Sequence, residues 1–172
     1  MEKTLQALNA MVASGVIGSY AIGGAIAASY YIAPTATLDL DVFIPIQVDQ
    51  LWLVAVRPLL DYLREHGHAA REACFEIEGW LVQFLPTHKS LTEEALAQAR
   101  TAVYGQTSTR VLTAEHLAAI MLQVGRPKDK VRLALFCEAD ALDRGKFQAL
   151  LARHHLVDAW QNFSRQFLPE KE

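Results

Sequence analysis

The chain has 172 residues, enough for one domain with a substantial core, or for one domain and a small helical appendage. With 52% hydrophobic and 20% charged residues it reads as an ordinary globular protein, and its net charge of -3 argues against nucleic-acid binding through bulk charge, leaving room for a local basic patch. Two distant cysteines, Cys74 and Cys137, lie outside any C-x-x-C spacing and read as small apolar residues in a reducing compartment, not as a disulfide or zinc site. The opening segment "MEKTLQALNAMVASG" is too polar for a secretory signal. The apolar stretch "GGAIAASYYIA" falls well short of the roughly 20 residues that span a bilayer, so the expectation is a cytoplasmic protein with no membrane contact.

In chain order, Leu5, Leu8, Met11 and Val12 recur at a helical period that ends at Gly15. "SYAI" is strand-like, Gly23-Gly24 makes a turn, and "AIAASYYIA" reads as a helix stopped by Pro34 and Thr35. "TLDLDVFIPI" is a second strand ending near Pro45. A helix follows over "DQLWLVAVRPLLDYLREHG", with Asp49 as its N-cap, Gly67 at its far end, and Pro58 either kinking it or opening a second helix. "REACFEIEGWLVQFLP" predicts two strands hinged at Glu78-Gly79. Ser90 and Glu93 have capping-box spacing and start a helix, and "TAVYGQTSTRVL" reads as strands about a turn at Gly105. From Thr113 the pattern is helical only: a helix from Thr113 to Gly125, another opened by Pro127, then "RGKFQALLARH" and "LVDAWQNFSRQF". This divides the chain into an α/β domain at 1–112 and a C-terminal helical subdomain at 113–172. His154-His155 reads as a solvated helix terminus, and His66-Gly67-His68 as a helix end rather than a metal chelate.

The stretch that demands chemistry is "TLDLDVFI". Residues two apart on a strand share a face, so Asp39 and Asp41 project together, with Leu38, Leu40 and Val42 on the other side. Two adjacent carboxylates repel and resist desolvation, and a divalent cation relieves both costs. Mg²⁺ prefers carboxylate oxygens together with phosphates and water. Gly23-Gly24, between strand and helix just upstream, lets backbone approach a ligand closely, and the following helix start offers N–H groups to phosphate. Arg126, Lys128 and Lys130 cluster at another helix start and suit an anionic ligand.

Together "YAIGGAIAASYYIAPTATLDLDVFI" and "EHLAAIMLQVGRPKDKVRL" resemble the nucleotidyltransferase superfamily with its DNA polymerase β-like fold, and most closely the bacterial branch of AbiEii-type toxins and related small nucleotidyltransferases. The resemblance covers most of residues 18 to 135. It implies an α/β (α+β) fold: a mixed sheet with flanking helices, followed by the helical subdomain. It also implies binding of a nucleoside triphosphate with Mg²⁺ (or Mn²⁺) and transfer of a nucleotidyl group to a hydroxyl on a protein, an RNA or a small molecule. Carried over by residue, Asp39 and Asp41 are the catalytic, metal-binding acids. Gly23 and Gly24 hold the phosphates, and Arg126, Lys128 and Asp129 match the family's R-x-K-D near the triphosphate or acceptor.

Two departures stand out. The family commonly has a third carboxylate on the second strand of the later hairpin, where this chain has Gln83. It often has a lysine in the first helix of the helical half, where this chain has Met121. They open a second reading, a module of the same fold that binds nucleotide, or a protein partner or second copy, without turnover. Glu76 and Glu78 on the partner strand are the nearest substitutes for the missing acid.

Overall fold

A computed structural model describes residues 1–46 and 52–168. Asp49, the expected N-cap of the long helix, lies outside the described residues. Among those described, seven strands form one mixed sheet in the order β3-β4-β5-β2-β1-β7-β6: β1 Ala21–Ile22, β2 Asp39–Ile44, β3 Ala69–Arg71, β4 Cys74–Ile77, β5 Trp80–Pro86, β6 Arg100–Tyr104 and β7 Thr107–Val111. Two pairs are parallel, β2 with β5 and β1 with β7, and the remaining pairs are antiparallel. The helices are α1 Glu2–Ala13, α2 Gly24–Ala28, α3 Trp52–Glu65, α4 Ser90–Ala97, α5 Ala114–Val124, α6 Pro127–Glu138, α7 Arg144–Arg153 and α8 Val157–Phe167. No helix among the described residues is long and apolar enough to cross a membrane.

Burial follows the periods in the sequence. In β2, Leu40, Val42 and Ile44 are fully buried and Asp39 and Asp41 are half-buried, an alternation that ends at Phe43, which is buried on the acids' face. Leu38, expected beside Leu40, precedes the strand and is 86% exposed. Leu5, Leu8 and Met11 of α1 and Leu59 and Leu63 of α3 join the three β2 residues in one core. Pro58 sits inside a continuous α3, so it does not open a second helix. The Glu78-Gly79 hinge has φ of 51° and 80°, the paired positive values of a tight type I′ hairpin. A second core joins Ala118 and Ala119 of α5 to Leu133 of α6, Phe147, Leu150 and Leu151 of α7, and Phe163 of α8. α5 therefore belongs to both cores, since Leu117 and Met121 on its other face pack with the sheet.

Two expectations are corrected, and one strand is unanticipated by the sequence. The helix after Gly23-Gly24 is only five residues long. Ser29 turns its hydroxyl back to the Ile26 carbonyl at 2.7 Å, and Tyr30 and Tyr31 continue in tighter i→i−3 turns that bring the Tyr31 hydroxyl to the Leu112 carbonyl at 2.8 Å. The cap of α4 is Lys89, one residue earlier than Ser90, with the Lys89 N–H donating to Thr92 Oγ1 at 3.3 Å. β3 has no strand signature in sequence; it forms as the edge partner of β4.

Candidate active site

The parallel pairing of β2 with β5 sets the floor of the site. Asp39 lies opposite Leu81 and Asp41 opposite Gln83, so both acids and Gln83 share one face of the sheet. The Thr37 hydroxyl donates to Asp39 Oδ1 at 2.6 Å and fixes that carboxylate. Asp41 is the deeper acid. Burial, and then the charge of Asp39, push its carboxyl above the usual range, while Lys128, Arg126 and Arg132 pull it partly back.

The two glycines divide their work. Gly24 has φ of +56°, and a Cβ there would overlap the Asp41 carboxylate, so its backbone lies directly against the acid. Gly24 lines the cleft; Gly23 does not. The Gly23 N–H donates to the Asp41 carbonyl at 2.9 Å, and a Cβ on Gly23 would run into the Phe43 ring. Gly23 thus holds the turn against β2, with its N–H already used.

The opposite wall comes from α5 and α6. Thr113 caps α5 by accepting from the His116 N–H at 3.4 Å, and Gly125 ends it in the left-handed conformation at φ +70°. Pro127 then opens α6 in its first turn, where the missing N–H costs nothing. Asp129 is buried, 2% exposed, and faces Arg126. It accepts from Arg126 Nε at 2.7 Å, from Arg126 Nη2 at 3.2 Å and from the Arg126 backbone N–H at 3.3 Å. That pairing raises the Arg126 guanidinium above its usual value, with both acids of β2 adding to it. Asp129 therefore positions Arg126. Lys128 is exposed at the rim, and Lys130 turns away to lie 5.5 Å over the Phe167 ring.

Between floor and wall lies an open cleft of about 360 Å³, within the range of small-molecule sites. Asp39, Asp41, Gly24, Arg126, Lys128 and Asp129 line it together, and so do Gln83 and Met121. Sequence reasoning missed Arg132, which lines the same wall. Its signal was its place four residues after Lys128, the spacing of one helix face. Neither Glu76 nor Glu78 lines the cleft; Glu76 is tied to Arg71 at 2.6 Å. Among the described residues no three His, Cys, Asp or Glu side chains converge as a metal site.

A second charged cluster, built around the single carboxylate of Glu94, lies where α4, α5 and the end of α7 meet. Glu94 accepts from Arg153 at 2.7 Å and 3.2 Å and pairs with His154 Nε2 at 2.7 Å. Those Arg153 bonds hold its carboxyl down to about 2, with His154 adding to them against the effect of burial. His154 is therefore an inward-facing residue, 6% exposed in its side chain, and not a solvated helix end. His116 Nε2 approaches Glu94 to 3.6 Å, too far for a hydrogen bond, and burial lowers the His116 pKa.

No protein-family model matches the chain, and no curated protein matches it in sequence. Solved structures do match in three dimensions. The antibiotic-resistance factor ANT(2'')-Ia in solution matches with a TM-score of 0.55 at 16% identity, over 94% of this chain and 95% of that one. Its crystal structure in complex with adenylyl-2''-tobramycin matches at 0.52 and 17%, over 88% and 94%. An antigenic nucleotidyltransferase-like protein from Paracoccidioides brasiliensis matches at 0.50 and 14%, over 92% of each chain. The chain has a nucleotidyltransferase-type fold, and the likeness runs through both the sheet and the helical half.

Proposed function

We propose that the cleft binds a nucleoside triphosphate with Mg²⁺ and transfers a nucleotidyl group to a hydroxyl acceptor. One observation carries this reading: an acid pair on one face of β2, its deeper member held uneasily charged, directly across a cleft from Arg126, Lys128 and Arg132. The residues fit the metal. Two protein carboxylates leave most of an octahedral shell to phosphate oxygens and water, the arrangement Mg²⁺ favours. Bound there, Mg²⁺ would neutralise phosphate charge and lower the pKa of the attacking hydroxyl. Asp39 and Asp41 would hold it, with Thr37 fixing Asp39 and the Gly24 backbone leaving room beside Asp41. The three cations of α6 would receive the phosphates. Placement in the AbiEii-type branch rests on the sequence resemblance of "YAIGGAIAASYYIAPTATLDLDVFI" and "EHLAAIMLQVGRPKDKVRL" taken together.

The charge of the cleft bears on the acceptor. Among the described residues its lining carries Lys89, Arg126, Lys128 and Arg132 against Asp39, Asp41 and the already paired Asp129. With Mg²⁺ on the β2 acids and a triphosphate on the facing cations, the occupied cleft is close to charge-balanced, so charge alone repels no class of acceptor.

Gln83 favours a second reading, binding without turnover, because a neutral amide stands beside Asp41 where a third carboxylate would serve as base. The test is a calorimetric titration of each NTP with and without Mg²⁺, repeated on Asp39→Ala and Asp41→Ala, and followed by transfer assays with labelled NTP, tobramycin among the acceptors. Mg²⁺-dependent binding that disappears in both variants is expected. Binding without any labelled product would select the second reading, and binding unchanged in the variants would overturn both.

A further inference from the structure

Arg126 and Arg132 lie on the same wall of the cleft but in different states. Arg126 spends its Nε and one Nη on Asp129. Arg132 has a buried Nε–H with no partner among the described residues, and its Nη2 reaches only Thr35 Oγ1 at a long 3.4 Å. It lines the same cleft as the acid pair Asp39 and Asp41. A guanidinium N–H removed from water and left unpaired is costly, and more so on a charged group than on an amide. The residue lines the cleft, and its fork of donors matches phosphate oxygens two at a time.

We propose that Arg132 is the phosphate-reading guanidinium of this site. Arg126, locked by Asp129, supplies a fixed positive field, and Arg132 makes the directed contact with the ligand's polyphosphate. Thr35 steadies one arm of the Arg132 fork, and the ligand contact falls to the part of the guanidinium that lines the cleft. The nucleotide part of this inference rests on the proposed function; the phosphate part does not.

The two are separated by titrating inorganic tripolyphosphate as well as each Mg²⁺–NTP into wild type, Arg132→Met and Arg132→Lys. We expect Arg132→Met to weaken both ligands by about tenfold or more, and Arg132→Lys to recover little of that, because an ammonium lacks the fork. The ligand-free melting temperature of Arg132→Met should equal or exceed that of wild type, since an orphaned donor is removed. Equal affinity in wild type and Arg132→Met overturns the assignment while leaving the proposed function standing. Full recovery by lysine overturns the guanidinium-specific role. Wild type that binds tripolyphosphate through Arg132 but no nucleotide keeps the assignment and removes the proposed function, and wild type that binds neither removes both.

Discussion

Two half-buried carboxylates, Glu94 and Asp41, are treated oppositely. Glu94 is surrounded by partners that want its charge, and its pKa falls to about 2. Asp41 is buried beside another acid, its compensating cations stand across a cleft, and its pKa rises. The first arrangement ties α4 to the end of α7. The second spends folding stability on an unsatisfied charge, which a ligand can relieve. The same functional group is thus a clamp in one region and a socket in the other, and the environment, more than the residue type, tells them apart.

The sharpest way to break this comparison is to neutralise each acid in turn. Asp39→Ala and Asp41→Ala should weaken Mg²⁺–NTP binding by about 100-fold or more, as loss of a directly liganding charge does, while leaving the melting temperature unchanged or raised. A melting temperature that collapses with binding intact would mean these acids are structural. Glu94→Gln should do the reverse. It should cost about 1–3 kcal/mol in denaturant titrations, because Arg153 and His154 lose a charged partner, and leave nucleotide affinity within about twofold.

Acid titration of stability is the next test, with a smaller effect. Glu94 is depressed from 4.5 to about 2, so its contribution is whole above pH 4.5 and fades as pH falls toward 2. His116 is depressed from 6.5, so stability also declines as pH drops below that value and the unfolded chain takes up the proton first. Asp41 has the opposite sign. Its carboxyl is raised above 3.8, so its contribution is present below that value and lost as pH rises through the folded pKa. Urea titrations between about pH 3 and pH 7 should show a shallower acid decline in Glu94→Gln and a steeper one in Asp41→Asn. The smallest effect is expected from Gln83→Glu, which places a third acid beside Asp41. It should destabilise the ligand-free protein by about 1 kcal/mol through like-charge repulsion and tighten Mn²⁺ binding severalfold, as read by calorimetry. Unchanged metal affinity would show that Gln83 does not face the acids as the register places it.

The floor of the site was legible because it is local. Period-two alternation put Asp39 and Asp41 on one face, and Gly24 needed its freedom where the chain turns beside them. The caps at Thr113 and Gly125 and the opening Pro127 followed from short-range backbone chemistry. What escaped depends on partners distant in sequence. Arg132 matters because its Nε is buried against a wall that forms only when α6 packs near Thr35. His154 looked like a solvated end because Glu94 is sixty residues away. Asp129 read as a ligand because the R-x-K-D pattern does not reveal that its carboxylate turns back on Arg126. The cap of α4 shifted to Lys89 because Thr92, and not Glu93, supplies the reciprocal bond.

The sheet order has a consequence for how the site comes into being. β1 joins β7 by pairing Ile22 with Val111, and β2 takes β5 as its parallel neighbour across the intervening α3, β3 and β4. During synthesis the acid pair emerges early, while the cations that face it, from Arg126 to Arg132, emerge only after the last strand. Closing such long loops is slow, and for that interval the acids have no electrostatic counterpart. A ligand that needs both walls recognises only the completed chain, so its presence would act as a late check on folding, adding about 2.7 kcal/mol to the finished state at one hundred times its dissociation constant and little to any earlier one.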